Sequence, residues 1–340
     1  MKVTNQGSMK IYRELANSAT MAPKVMQKKR KKSPYLIDGN DQVVIVRTDD
    51  RKKGIIEAIK KLGGLGPITE DINGEVIIKP NCNTDDVYPR DSHPDTIRAI
   101  ANELINSGIS PSRVVVGDMS GRARGLPTRA IMENLGIKSV ADDIGFQLSY
   151  FEEEPWVRVE IPEADFWPDG ITIPERVYNA ERIIFTPILR SHSTATFTCA
   201  LKLGVGLIDA ASRDWLHNGE WHHEKIVQMN LAWNVDLVIS DVMEMNTGYG
   251  TEPSDNVKPG IIIASNSMIA NDCAAVALMR YYDTVRLRDM QTRKHRQISL
   301  AKKYGLGCSD LSGIKIKTSN LEGDNYFEDI ITWIEGELKD

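Results

Sequence analysis

The stretch "EVIIKPN", Glu75 to Asn81, decides the fold. Val76, Ile77 and Ile78 are β-branched and consecutive, so a strand here presents an apolar surface on both sides. A strand covered on both faces belongs to a parallel sheet flanked by helices. The run then stops abruptly at a lysine, a proline and an asparagine. The same pattern recurs in "QVVIVRT" (Gln42 to Thr48), "RVVVGD" (Arg113 to Asp118), "RIIFTP" (Arg182 to Pro187), "DLVISD" (Asp236 to Asp241) and "GIIIAS" (Gly260 to Ser265). Helical periodicity separates these runs at 52–62, 94–107, 128–135, 223–233, 271–281 and 326–338. The expected fold class is α/β, a mainly parallel sheet with helices on both faces.

At 340 residues the chain exceeds the roughly 250–300 at which a single core stops growing. We divide it into a basic N-terminal arm (1–34), a first α/β lobe (35–145), an insertion or lid (146–180) and a second α/β lobe (181–340). The insertion is rich in Pro, Trp and acidic residues, lacks a long helical period and reads as β-rich. The arm ends in "KKRKKSP" (Lys28 to Pro34), read as a solvated extension. A net charge of −5 rules out a globally basic surface, so no nucleic acid is expected as partner. Cys82, Cys199, Cys273 and Cys308 form no C-x-x-C pair, which speaks against an iron–sulfur cluster, a structural zinc and a disulfide framework. No apolar window approaches a membrane span, and a cytoplasmic location without membrane contact is expected. An oligomer is compatible with these features.

In open parallel sheets, ligands bind outside the carboxyl ends of the strands. Polar segments begin at five such ends: Lys79 to Asp86, Gly117 to Gly125, Arg190 to Thr196, Ser240 to Gly250 and Ala264 to Asp272. They predict one rim carrying a shared crevice. His192 follows a strand end and precedes hydroxyl-rich sequence, fitting an acid/base residue or a metal ligand. Lys202, within "ALKLGVGL", is either a snorkelling lysine or a partly buried ammonium that holds an anion or acts as a base. His217, His222 and His223 cluster within seven residues. With His192, Asp241, Glu244 and Asp272 they offer donors for a first-row metal, although no zinc signature is present. Lys79 and Asn81 form a second cluster with His93 and Asp95, where Pro94 also reads as the start of a helix. No P-loop occurs, and "GVGLID" lacks the third glycine of a dinucleotide-binding motif.

"IIKPN" (Ile77 to Asn81), "VVVGD" (Val114 to Asp118), "TPILRSHSTATFTCALKLGVGL" (Thr186 to Leu207), "DLVISDVMEMNTGYG" (Asp236 to Gly250) and "IIIASNSMIANDCAAVALM" (Ile261 to Met279) resemble, in order, the blocks of domain-of-unknown-function family 362. The resemblance implies a mixed α/β protein without a settled common activity, and it marks Lys79, Asn81, His192, Lys202, Asp241 and Asp272. The chain departs from the family pattern at Arg190, where lysine is frequent, and at Leu203, where asparagine is frequent. It also lacks the ferredoxin-like cysteine cluster of many members. A second resemblance lies in His192, Lys202 and His217, whose H-x9-K-x14-H spacing is similar to the lactate racemase family. There a lysine carries a nickel-pincer nucleotide, and histidines serve as acid/base and nickel ligand.

Together these readings point to a metal-dependent enzyme, oxidoreductase or isomerase, acting on a small anionic substrate at the strand-end rim. The catalytic candidates are His192, Lys202 and Lys79. Asn81, Arg190, Thr194 and Thr198 would bind substrate. His192, His217, Asp241 and Asp272 would hold a divalent metal ion, with iron, manganese, zinc and nickel all open. The alternatives are a nickel-pincer racemase or epimerase and a non-catalytic anion- or cofactor-binding protein.

Overall fold

The computed structural model describes residues 21–121, 126–248, 255–307 and 310–339. The first twenty residues of the arm, parts of the 117–125 and 240–250 segments, and Cys308 lie outside them. Eight strands form the spine of the main sheet: β1 (Gln42–Arg47), β2 (Val76–Lys79), β3 (Val114–Asp118), β4 (Gln147–Tyr150), β5 (Arg182–Phe185), β6 (Leu237–Asn246), β7 (Ile261–Ser265) and β8 (Lys315–Asn320). Their spatial order is β8-β1-β7-β6-β5-β2-β3-β4. All neighbours are parallel except β7, which runs antiparallel to both β1 and β6. Ile77 pairs with Ile183 on one side and Val115 on the other.

Successive residues in each strand feed two cores. Val44, Val46, Ile78 and Ile239 face one side, packing with helices α1 (Arg51–Leu62) and α2 (Pro94–Asn106). Val43, Ile45, Ile77 and Val238 face the other side, packing with helix α6 (Met268–Tyr281). Every strand residue from Val43 to Val46 and from Val76 to Ile78 is inaccessible to solvent. Each such branched side chain contributes on the order of 1.5–3 kcal/mol. Helix α1 starts where the Asp50 side chain accepts from Lys53 N–H and ends at Gly63, at φ 129°. Helix α2 starts at Pro94 with the His93 ring accepting from Asp95 N–H. Helix α6 is buried from Met268 to Met279, as its nearly uninterrupted apolar sequence requires.

Three features depart from the sequence expectations. First, because β7 is reversed, its carboxyl end pairs beside the starts of β1 and β6, Ser265 opposite Val43 and Val238. The segment from Ala264 therefore leaves the opposite end of the sheet and does not share a rim with the polar segments that follow β2 and β3. An isolated apolar run does not encode its direction. Second, the 146–180 region is β-rich as expected, but it is not wholly separate from the main sheet: it supplies the edge strand β4 as well as an antiparallel pair, Trp156–Glu160 with Ile171–Pro174. Third, the described part of the arm is docked. Lys24–Met26 adds a parallel strand to Arg158–Glu160. Gln27 Nε2 donates to Leu231 O, Arg30 Nη2 to Asn230 O and Lys31 Nζ to Glu181 O. Asn230 and Leu231 follow helix α5 (His222–Met229), whose terminal carbonyls attract cations.

Candidate functional site

A cavity of about 340 Å³ opens at the carboxyl end of the parallel strands. Lys79 and Asn81 reach it from the end of β2, and Asp118 and Met119 from the end of β3. Arg190 and His192 come from a further strand, Ile188–His192, which forms a hairpin with Thr196–Thr198. Lys202 lies on the helical turn α3 (Ala200–Leu203), while Arg213 and His217 lie on α4 (Ala210–His217).

Lys79 is fully buried, pairs with Asp118 at 2.8 Å and donates to Pro80 O at 2.6 Å. Asp118 also accepts from Cys82 N–H and Met119 N–H, both at 2.7 Å. Gly206 lies so close that a β-carbon there would collide with Asp118 Oδ1 and Lys79 Nζ, so only glycine fits. The Arg213 guanidinium donates to Ile208 O at 3.1 Å, Met119 O at 2.6 Å and Ser120 O. These two cations brace the cavity wall.

Lys202 and Arg190 differ. Among the described residues Lys202 has no carboxylate partner. Burial, reinforced by the neighbouring Arg190 and Arg213 charges, pulls its pKa to about 7. Arg190 Nε and Thr198 Oγ1 are buried without a hydrogen-bond partner among the described residues. Such orphaned groups are costly unless something enters to satisfy them.

The histidines adopt complementary tautomers. His192 Nδ1 accepts from Thr194 N–H at 3.2 Å and from Ala195 N–H at 3.1 Å. The neutral ring therefore carries its proton on Nε2. Burial, with Lys202 and Arg190 adjacent, drives its pKa to about 2, so it stays neutral. His217 Nδ1 instead donates to Arg213 O at 2.8 Å, leaving Nε2 as an acceptor. Although its outer side is exposed, burial lowers its pKa to about 4. One imidazole thus offers N–H and the other a lone pair. Thr194 is exposed at the turn of the hairpin, its Oγ1 3.4 Å from both His192 Nδ1 and His222 Nε2, rather than in the cavity wall.

A family profile described as "Domain of unknown function (DUF362)" matches residues 76–277, more than half of the chain. The chain belongs to this family. A thylakoid-associated protein of Synechocystis sp. is 24% identical over 223 residues, 63% of this chain and 65% of that protein. The chain thus spans under two thirds of that relative. The lactate racemase apoprotein of Thermoanaerobacterium thermosaccharolyticum is similar in structure at TM-score 0.43 and 14% identity, over 67% of this chain and 55% of that one. Among the described residues of this DUF362 chain, no helix is long and apolar enough to cross a membrane.

The two aspartates marked as metal ligands are placed elsewhere. Asp241 points to the α1–α2 face of the sheet, where it accepts from Arg51 Nε at 2.7 Å, Tyr88 OH at 2.8 Å and Thr96 Oγ1. Its neighbour Ser240 points to the opposite face and donates to Asn271 Oδ1, as the two-residue period of a strand dictates. Asp272, on α6, is fully buried and accepts from Ala200 N–H at 2.8 Å and Leu201 N–H at 2.9 Å. Burial pushes its pKa up to about 6. Among the described residues, no three histidine, cysteine or carboxylate side chains come together to hold a metal ion. His192 presents N–H rather than a lone pair, so the donor set does not fit a divalent ion bound by the protein alone. Lys79, Asn81, Arg190, His192, Thr198, Lys202 and His217 do share the cavity. Sequence reasoning missed Asp118 and Arg213. Asp118 ends a quoted strand and was visible as a strand-end carboxylate, whereas Arg213 gave no signal.

Proposed function

We propose that this DUF362 protein is an enzyme that binds a small organic anion in the strand-end cavity and moves a proton on it. The observation that carries the reading is Lys202, an amine facing the cavity without a carboxylate partner among the described residues, beside Arg190 Nε and Thr198 Oγ1, which are likewise unpartnered among them. An anionic group on Arg190 and Lys202 satisfies these groups at once. His192 Nε2–H then donates a hydrogen bond to a substrate oxygen, and His217 Nε2 serves as the base. The test is calorimetric titration with oxalate. The parent protein binds it, and Lys202→Met, which keeps most of the apolar stem, weakens binding by on the order of 2–5 kcal/mol, about 30-fold or more. Equal affinity in the two proteins, or no binding by the parent, refutes the reading.

A second reading is favoured by one observation, that His192, Lys202 and His217, spaced as in lactate racemases, line the same cavity. Lys202 would carry a nickel-pincer nucleotide and His217, through Nε2, would be offered to the nickel. Such a group would supply racemase chemistry at the cavity. Nickel in the purified protein together with added mass on the Lys202 peptide would support this reading. An unmodified Lys202 peptide would exclude it.

A further inference from the structure

We propose that Lys202 is a covalent amine site for a small 2-oxo acid, whose carboxylate rests on Arg190 while its keto carbon condenses with Lys202 Nζ to an imine. The inference rests on the anion-binding reading above and adds the substrate class and the bond formed.

The cavity contains two lysines, and their surroundings assign them different chemistry. Lys79 is tied to Asp118 at 2.8 Å and to Pro80 O at 2.6 Å, which commits its Nζ to protein partners. Lys202 has no carboxylate beside it among the described residues, and its charged neighbours are the guanidiniums of Arg190 and Arg213. Like charges and desolvation both disfavour an ammonium, and a lysine in such surroundings is a nucleophile near neutral pH. An ordinary surface lysine titrates near 10.4 and is almost wholly protonated there.

The rest of the wall suits the electrophile. Among the described residues Arg190 Nε is buried without a partner, as is Thr198 Oγ1, in a residue only 4% exposed. Both are donors available to a carboxylate. His192 is locked as an Nε2–H donor and can polarise a carbonyl oxygen without becoming charged. His217 Nε2 is free to accept a proton.

The step balances without an oxidant or reductant. The Lys202 lone pair forms a C–N bond to the keto carbon as the C=O π pair moves to oxygen, and the oxygen is protonated to give a carbinolamine. The C–O bond then breaks as the nitrogen lone pair forms C=N. Both amine protons leave with the former carbonyl oxygen as water, and His217 Nε2 carries them one at a time. The resulting imine is an electron sink for a bond at the adjacent carbon.

The experiment treats the full-length protein with pyruvate and sodium cyanoborohydride at pH 7, followed by intact mass and peptide mapping. The expected result is one reduced pyruvyl group per chain, on Lys202, absent from Lys202→Met. Excess oxalate, which has no keto carbon to condense, should suppress labelling of the unaltered protein, a readout that does not depend on the variant folding. No adduct, an adduct spread over exposed lysines, labelling indifferent to oxalate, or a Lys202 that already carries a covalent group on purification overturns the proposal. Oxalate titration of the same sample separates the two readings. Binding without an adduct removes the imine and leaves the anion site, whereas neither binding nor adduct removes both.

Discussion

Replacing Lys79 by methionine tests whether this lysine is a catalytic group or a structural one. Its Nζ is bound to Asp118 at 2.8 Å and Pro80 O at 2.6 Å, and the whole side chain is 1% exposed. Lys79→Met keeps most of the stem and strands the Asp118 carboxylate in a site that is only 2% exposed. Breaking a buried pair from one side costs about 3–5 kcal/mol. Asp118 keeps two backbone N–H donors, at Cys82 and Met119, so the loss should fall near 3 kcal/mol. Adding Asp118→Leu removes the stranded charge and should restore about 1–3 kcal/mol, a positive coupling that a urea-denaturation double-mutant cycle measures directly. If the single variant lost less than about 1 kcal/mol, or the second change made matters worse, the pair would not be bracing this wall. Lys79 would then be free to act on substrate.

Two further outcomes follow from the fold. Residue His295 is buried, its ring accepts from Gln297 N–H, and burial lowers its pKa to about 3. A folded-state pKa below the unfolded value of about 6.5 contributes stability that is complete above pH 6.5 and lost as pH falls toward 3, by at most about 1.4 kcal/mol per unit. His295→Asn, which keeps an acceptor at this helix start, should therefore flatten the acid limb of a melting-temperature profile between pH 6.5 and 4, and an unchanged slope would show that His295 does not supply it. Deleting residues 1–33 should lower stability by about 1–3 kcal/mol in chemical denaturation, because the deletion removes a paired strand and the Gln27, Arg30 and Lys31 bonds to backbone carbonyls; no change would return the arm to the solvated extension that its charge suggested.

The strands were legible because each is an apolar run bounded by turn chemistry, and the helices because their apolar stripes are periodic. Helix α5 ends at Met229 rather than near Trp233, since the Asn230 side chain donates to Ile226 O and Leu201 O and stops it. The edge strand β8 was missed because it is nowhere fully buried and its sequence, Lys315–Asn320, is mostly polar. The direction of β7 was illegible for a different reason. Parallel and antiparallel runs buried on both faces have the same composition, and only the length of the connection between β6 and β7 hints at reversal. That single reversal moved Asp272 from the rim to the interior. Likewise, Ser240 and Asp241 are adjacent in sequence but point to opposite faces of the sheet.

The misplaced aspartates nevertheless bear on the site. A cleft at strand ends exposes backbone N–H groups and helix starts that must find partners, and a buried carboxylate is tolerated only where several donors converge on it. Asp272 is held in that way by the N–H groups of Ala200 and Leu201, and those two residues begin the turn that carries Lys202. On the far face, Asp241 ties Arg51 at the start of α1 and Thr96 in the first turn of α2 to the strand that lies beside Ile188–His192. Asp241 and Asp272 thus fasten the supports of the cavity rather than line it, and Asp118, the carboxylate that does line it, is bound to Lys79 and two backbone N–H groups, beside the amine, guanidinium, hydroxyl and imidazole groups of Lys202, Arg190, Thr198, His192 and His217. The proposed anion site rests on this division, since the acids at and around the cavity are committed to structural partners while Lys202 and Arg190 have no carboxylate bound to them among the described residues.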